Sequence, residues 1–205
     1  MLERGIMMNE VIKNILERRS IRKYRSEQIP DEELNSVLEA GLYAPSAGGR
    51  QSPLIVVCQN AETNAELGNI NKAAFHGRMS TGNVYVSKDQ PSIADDAGIA
   101  SGFYNAPTVI TLFAPGNFLY SAADCCAAAQ NIMLAAHSLG ISSCMIARAE
   151  DTFSSEFGRR LREEWGIDKE MEAKFHVALG YADGAQPPAK PRKGDRIKRV
   201  RGKRD

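Results

Sequence analysis

The chain has 205 residues and a net charge of +1, with 43% apolar and 25% charged residues, the composition of an ordinary soluble globular domain with enough chain for one sizeable core. Its longest apolar runs, Leu54 to Cys58 and Thr108 to Ala114, are far too short to span a bilayer, and no charged-then-apolar export signal opens the chain, so a cytoplasmic protein without membrane contact is expected. Cys58, Cys125, Cys126 and Cys144 lack the paired spacing of a zinc site and read as buried free thiols, so no metal is expected.

In chain order, Val11, Ile12, Ile15 and Leu16 share one helical face, with Asn9 placed to cap. A second helix follows Pro30, its first turn carrying Asp31, Glu32 and Glu33 and its stripe Leu34, Val37, Leu38 and Leu42; Pro45 ends it. Leu54 to Gln59 is a compact strand. From Ala61 to Gly102 the pattern is weak, with a short helix near Ala65 and then a polar insertion over 71–101. Thr108 to Ala114 is a second buried strand, Ala122 to Leu139 a long Ala-rich helix stopped by Gly140, and Ser142 to Ile146 a short strand. Thr152 is placed to cap a helix whose Phe153, Phe157, Leu161 and Trp165 recur every four residues. Glu172 to Tyr181 alternates as a strand with Phe175, Val177 and Leu179 on one face. The sum is one α+β domain with a central, mostly antiparallel sheet flanked by helices, a core over 8–182 and a basic extension over 183–205.

Charge is unevenly spread. Ala189 to Asp205 holds nine Lys/Arg against two Asp, a balance of +7, which leaves −6 for the rest of the chain. Such a tail asks for an anionic partner, internal or external. A second basic cluster lies just past the first helix, where Arg18, Arg19, Arg22, Lys23 and Arg25 surround Ser20. Guanidinium forks suit phosphate oxygens, and a serine hydroxyl adds a short hydrogen bond. The loop Ala44-Pro45-Ser46-Ala47-Gly48-Gly49-Arg50-Gln51 is built of small residues that let a backbone approach a planar ligand, and Gln51 offers both a donor and an acceptor to an amide-like ring edge. It is neither a P-loop nor a dinucleotide fingerprint, since no Gly-Lys-Ser/Thr follows and the order runs helix, loop, strand.

Taken together and in this order, the segments resemble the nitroreductase family of flavoproteins along nearly the full chain. The residues that carry the resemblance are Arg18 to Tyr24, Ala44 to Gly48, Gln51, and Asp124 to Met145 with its Gln130 to Ala136 core; Gly180-Tyr181-Ala182 before Lys190-Pro191-Arg192 completes it. The resemblance implies FMN as cofactor, NAD(P)H as transient electron donor, a small-molecule electron acceptor and a homodimer with the flavin at its interface. By position, Arg18, Arg19 and Ser20 take the roles of phosphate and ribityl ligands, and Arg22 that of the cation beside the flavin's pyrimidine side. Pro45, Ser46, Ala47, Gly49 and Gln51 fall where the family contacts the cofactor, Ser46 from the partner subunit; Ile146 and Ala147 edge the ring with backbone; Lys190 and Arg192 close the phosphate site. Gly49 stands where relatives often carry an Asn that contacts the flavin, and Ser52-Pro53 replaces the usual Pro-aromatic pair.

No side chain is singled out as nucleophile or general acid. The expected reaction is hydride transfer from NAD(P)H followed, in ping-pong order, by reduction of an electron-poor acceptor such as a nitroaromatic or quinone. A flavin specialist of the same fold, a reductive dehalogenase or flavin-fragmenting enzyme, is an alternative. A nucleic-acid-binding module using the tail is a distant one, disfavoured by the acidic body and the absence of interleaved aromatics.

Overall fold

The computed structural model describes residues 7–75 and 90–200. The elements are α1 (Glu10–Glu17), α2 (Asp31–Leu42), β1 (Leu54–Cys58), α3 (Ala61–Ala73), β2 (Thr108–Pro115), α4 (Ser121–Ser138), β3 (Ser142–Ile146), α5 (Ala149–Ser154), α6 (Glu156–Glu164) and β4 (Met171–Gly180). The strands form one antiparallel sheet in the order β1-β2-β4-β3. No described helix is long and apolar enough to cross a membrane.

The sheet is covered on both faces. On one, Leu34 and Val37 of α2 and Ala129, Ile132 and Met133 of α4 pack on Ile110, Leu112, Val177 and Leu179. On the other, Leu67, Phe103, Phe153 and Leu161 pack on Val109, Phe113, Ala173 and Ala178. Each such buried side chain contributes about 1.5–3 kcal/mol relative to exposure. β4 is central, which explains why Ala173, His176 and Ala178 are buried as well as the Val177 and Leu179 face seen in the sequence. It also carries an extra residue. Leu112 pairs with Phe175 and Phe113 with Ala173, so Lys174 is bulged out of register. Lys174 meets Glu150 at 2.8 Å and Glu172 at 2.7 Å.

Past α1 the chain runs along the outer edge of β3. Ser20 bridges Ser143, Ile21 N–H donates to Ser143 C=O at 3.0 Å, and Arg25 N–H donates to Tyr181 C=O at 2.9 Å. The edge strand is thereby covered, and the basic segment is held against the sheet.

Several expectations need correction. The helix expected from Thr152 to Trp165 is two: Ser155, extended at φ −64°, ψ 162°, breaks it and caps α6 by accepting from Gly158 N–H. Thr152 is no cap but lies buried inside α5, donating to Arg148 C=O at 2.8 Å. The short helix near Ala65 is a full α3 that includes Asn71, so the insertion begins after it; residues 76–89 of it lie outside the described residues, as do Arg201, Lys203 and Arg204 of the tail. The apolar face of α1 is not covered by the described residues, for Val11, Ile15 and Leu16 are exposed, and so is Leu42 of α2. The thiols are all free, but Cys126 is exposed and Cys58 half-buried.

Candidate functional site

The basic segment becomes a cradle at the β3 edge. Arg18 is the C-cap of α1, and Asn14 ties that helix to α4 by donating to Leu134 C=O at 2.9 Å. Arg19 turns one guanidinium nitrogen onto Leu16 C=O at 2.7 Å and Arg18 C=O at 2.8 Å. Arg22 is clamped by Gln90: its backbone N–H donates to Gln90 Oε1, and its Nη1 donates to Gln90 C=O at 3.1 Å. The ring of Tyr104 lies 5.9 Å from the Arg22 guanidinium carbon. After these contacts, buried Arg18 Nη1, Arg19 Nε, Arg22 Nε and Ser143 Oγ have no hydrogen-bond partner among the described residues. Buried polar atoms are normally paired, so several orphaned cationic donors in one place point to an anionic ligand.

Titration shifts agree with desolvation. Burial depresses the Arg18 guanidinium below its usual value, and the cations Arg19 and Arg192 push the same way. Cys144, whose neighbour Ser143 bridges Ser20, is pushed up by burial against the opposing pull of Arg22, Ser20 and Arg18. Tyr24, which donates to Ile21 C=O at 2.6 Å, is raised well above the phenol range, first by burial. The tail returns to this place: Gln186 donates to Glu17 C=O, and Arg192 lies near enough to act on Arg18. Lys190 and Arg192 are themselves exposed.

At the far end of β3, Ile146 is buried and Ala147 exposed, and the Ala147 carbonyl accepts from Asn71 Nδ2 at 2.9 Å. This contact fixes the end of the strand.

The small-residue loop lies elsewhere. Ala47–Gly49 form one 3-10 turn after Ser46, and Gly48 and Gly49 take φ of 63° and 64°, a backbone that side chains rarely adopt. Gln51 takes φ 52° and donates its N–H to Ser46 Oγ at 2.8 Å. Asp124, in the first turn of α4, accepts from Ala47 N–H at 3.0 Å and from Ser52 Oγ at 2.6 Å. An open hollow lined by Leu42, Tyr43, Pro45, Ser46, Gly49 and Gln51 results.

The two segments occupy diagonal corners of the sheet. The loop leads into Leu54 of edge strand β1, which pairs across β2 and β4 toward Phe113 and Ala173. Ser20 sits at the other edge strand, opposite Leu179 and Thr108. Helix α4 spans the gap: Asp124 holds the loop, while His137 at the other end is pushed down by burial and then by Arg18. These positions are about 20 Å apart along the helix axis at 1.5 Å per residue. Thus Arg18, Arg19, Ser20, Arg22, Ile146, Ala147 and Arg192 lie along one edge, and Pro45, Ser46, Ala47, Gly49 and Gln51 at the opposite corner. The sequence gives no periodic signal for Asn71, Gln90 and Asp124, whose partners Ala147, Arg22 and Ala47 lie 68 to 77 positions away, nor a site role for Tyr104, Cys144 and Arg148.

Fold and site together define an α+β protein whose edge cradle is built for an anionic ligand. The donor set fits a phosphate-bearing cofactor, since three guanidinium groups with orphaned or desolvated nitrogens stand beside two serines. The Nitroreductase family model matches residues 15–181. A nitroreductase with bound FMN from Desulfitobacterium hafniense DCB-2 is 31% identical, with 95% of this chain and 100% of that chain covered at a TM-score of 0.78. A nitroreductase with bound FMN from Bacteroides fragilis NCTC 9343 is 30% identical, with 95% and 100% covered at a TM-score of 0.77. An NADPH-flavin oxidoreductase of Vibrio harveyi is 29% identical over 189 residues, 90% of this chain and 70% of that protein. The chain belongs to the nitroreductase family.

Proposed function

We propose that this protein is an FMN-dependent oxidoreductase that takes hydride from NAD(P)H and reduces small electron-poor acceptors, nitroaromatics or quinones, in ping-pong order. The observation that carries the reading is the set of buried guanidinium nitrogens of Arg18, Arg19 and Arg22, without partners among the described residues, beside Ser20. The FMN-bearing relatives and the NADPH-flavin oxidoreductase support it. When bound, FMN supplies the redox chemistry, accepting hydride from the nicotinamide and passing electrons on.

The chain's own residues bind, orient and tune. Arg18, Arg19 and Ser20 hold the phosphate and ribityl end, and Arg192 with Lys190 adds charge from the tail. Arg22, fixed by Gln90, sets a positive charge beside the pyrimidine side, where reduction adds negative charge; in a shielded site such a charge is worth a few kcal/mol, about what an effective dielectric near 20 gives at close range. The backbone of Ile146 and Ala147 borders the ring.

The working form in this reading is a homodimer. One chain holds its two cofactor segments at diagonal corners of the sheet, beside ends of α4 that lie about 20 Å apart, and in this reading they serve two different flavins. A second copy brings the Ser46–Gln51 corner of one subunit to the Arg18 edge of the other. The exposed apolar face of α1, with Val11, Ile15 and Leu16, supplies surface for that contact.

The test is direct. Heat-released ligand identified by mass is expected to be FMN, near one per chain. Rapid mixing with NADH or NADPH is expected to bleach the flavin absorbance, and a following acceptor to restore it. Release of FAD, or a chain that takes up no flavin, overturns the reading.

A further inference from the structure

Directly after Ala147 the chain does something costly. Arg148 takes φ 65° and ψ 30°, the left-handed region that favours glycine. Its neighbours enforce this. Asn71 Nδ2 donates to Ala147 C=O at 2.9 Å and to Thr152 Oγ1 at 3.0 Å, and Thr152 Oγ1 donates to Arg148 C=O at 2.8 Å. Strained backbone of this kind persists only where the surroundings over-determine it, and it gathers at ligand sites.

The side chain is equally constrained. The Arg148 guanidinium carbon lies over the Phe75 ring, 4.8 Å from its centroid, a cation–π contact that holds the group in place. Its Nε is buried and without a partner among the described residues. A ring leaves the guanidinium N–H donors unsatisfied, and their fork is the geometry that reads an oxyanion. In the functional reading the cradle at the β3 edge already has Arg18 and Arg19 for the cofactor's own phosphate and Arg22 for its pyrimidine side. Arg148 sits instead at the opposite end of β3, next to the Ile146 and Ala147 backbone that borders the ring in the functional reading.

We propose that Arg148 is a specificity residue that recognises an oxyanion on the incoming redox partner: the one phosphate that distinguishes NADPH from NADH, or a carboxylate on the acceptor. The inference rests on the functional reading above. Glycine would relieve the backbone at this position, so arginine there is explained by what its side chain binds.

The experiment uses full-length, FMN-loaded protein and compares wild type with Arg148→Gln, Arg148→Lys and Arg148→Gly. The Gly variant fits φ 65° and serves as the folding control. One arm measures kcat/KM for NADPH against NADH, which differ by one phosphate. The other measures 4-nitrobenzoate against neutral 4-nitrobenzamide. Fluorescence titration gives FMN affinity separately. Wild type is expected to favour the anionic member of at least one pair, and Arg148→Gln to lower that ratio about tenfold or more, the scale of a charge-assisted contact, with Arg148→Lys restoring part of it. The arm that responds identifies the source of the oxyanion. Unchanged ratios in both arms overturn the inference and leave the functional reading intact. A matching loss of FMN affinity in Arg148→Gln and Arg148→Gly also overturns it, by moving Arg148 to the cofactor. A chain that takes up no FMN overturns both.

Discussion

Ser52 donates its hydroxyl to Asp124 Oδ2 at 2.6 Å across 72 positions of sequence. The other carboxylate oxygen takes Ala47 N–H at 3.0 Å, so one side chain staples both ends of the loop that bears Ser46 and Gln51. Asp124 is 5% exposed and lies in the first turn of α4, where the helix dipole favours an acid.

Asp124→Ala is therefore expected to cost about 2–3 kcal/mol, the scale for stranding polar groups in a buried place. Asp124→Asn keeps one acceptor and is expected to cost roughly half as much. Urea unfolding measures both. A loss under about 0.5 kcal/mol for the Ala variant, no more than an ordinary surface change, would mean the loop holds itself without this staple.

The cradle and the tail separate by mutation. Arg18→Ala is expected to weaken FMN binding at least tenfold, about 1.4 kcal/mol, and so is joint replacement of Lys190 and Arg192 by Ala. Deleting 200–205 is expected to leave affinity nearly unchanged, because the later cations outnumber what one phosphate can use. Flavin fluorescence titration reads all three. A double variant that holds FMN as tightly as the parent removes the tail from the phosphate site.

His176 makes stability depend on pH. It is fully buried, its Nδ1 is 2.9 Å from Thr111 Oγ1, Nε2 has no partner among the described residues, and burial pushes its pKa from 6.5 to about 3. The unfolded chain takes up a proton below pH 6.5 while the folded chain does not. This group's contribution therefore does not change above pH 6.5, and stability falls as pH drops from 6.5 toward 3, by about 1.4 kcal/mol per unit. Between pH 7 and pH 5 the loss from this residue is about 2 kcal/mol. His176→Gln, whatever its stability at pH 7, is expected to flatten the slope by that amount in parallel urea titrations. An identical slope in both proteins would assign the acid sensitivity elsewhere.

Gly158 is needed for the close turn between α5 and α6. A Cβ there would stand 2.5 Å from Thr152 O and 2.6 Å from Phe153 Cα, both backbone atoms that cannot swing aside. Gly158→Ala is expected to cost about 1–3 kcal/mol, as overpacking does. Gly194→Ala, with nothing within 4 Å, is the neutral control in the same thermal melts.

Strands and long helices were legible because they obey a period. β1, β2, β3, β4 and α4 fall within a residue or two of their expected limits. The α5–α6 break was not, since the four-residue spacing from Phe153 to Trp165 runs on through one extended residue at Ser155. The β4 alternation reads correctly only as far as the bulge: Ala173 falls on the opposite face from Phe175, a switch that needs the extra Lys174. The periodicity of Val11, Ile15 and Leu16 marks an apolar face, but not that the described residues leave it exposed. The arginine cradle could be read because residue type alone carries its chemistry. The supports of the cradle, the β3 end and the loop could not: Gln90 on Arg22, Asn71 on Ala147 and Asp124 on Ala47 act through hydrogen bonds between residues far apart in the chain.

The length of α4 makes occupancy and assembly one equilibrium in the proposed dimer. With its two ends serving two different sites, a lone chain owns two half-sites and no whole one. Each ligand retained draws a pair of chains together, and each pair that separates leaves two sites incomplete. The fraction of protein carrying cofactor then follows mass action in subunit as well as in ligand, rising with protein concentration and falling on dilution even at a fixed ratio of the two.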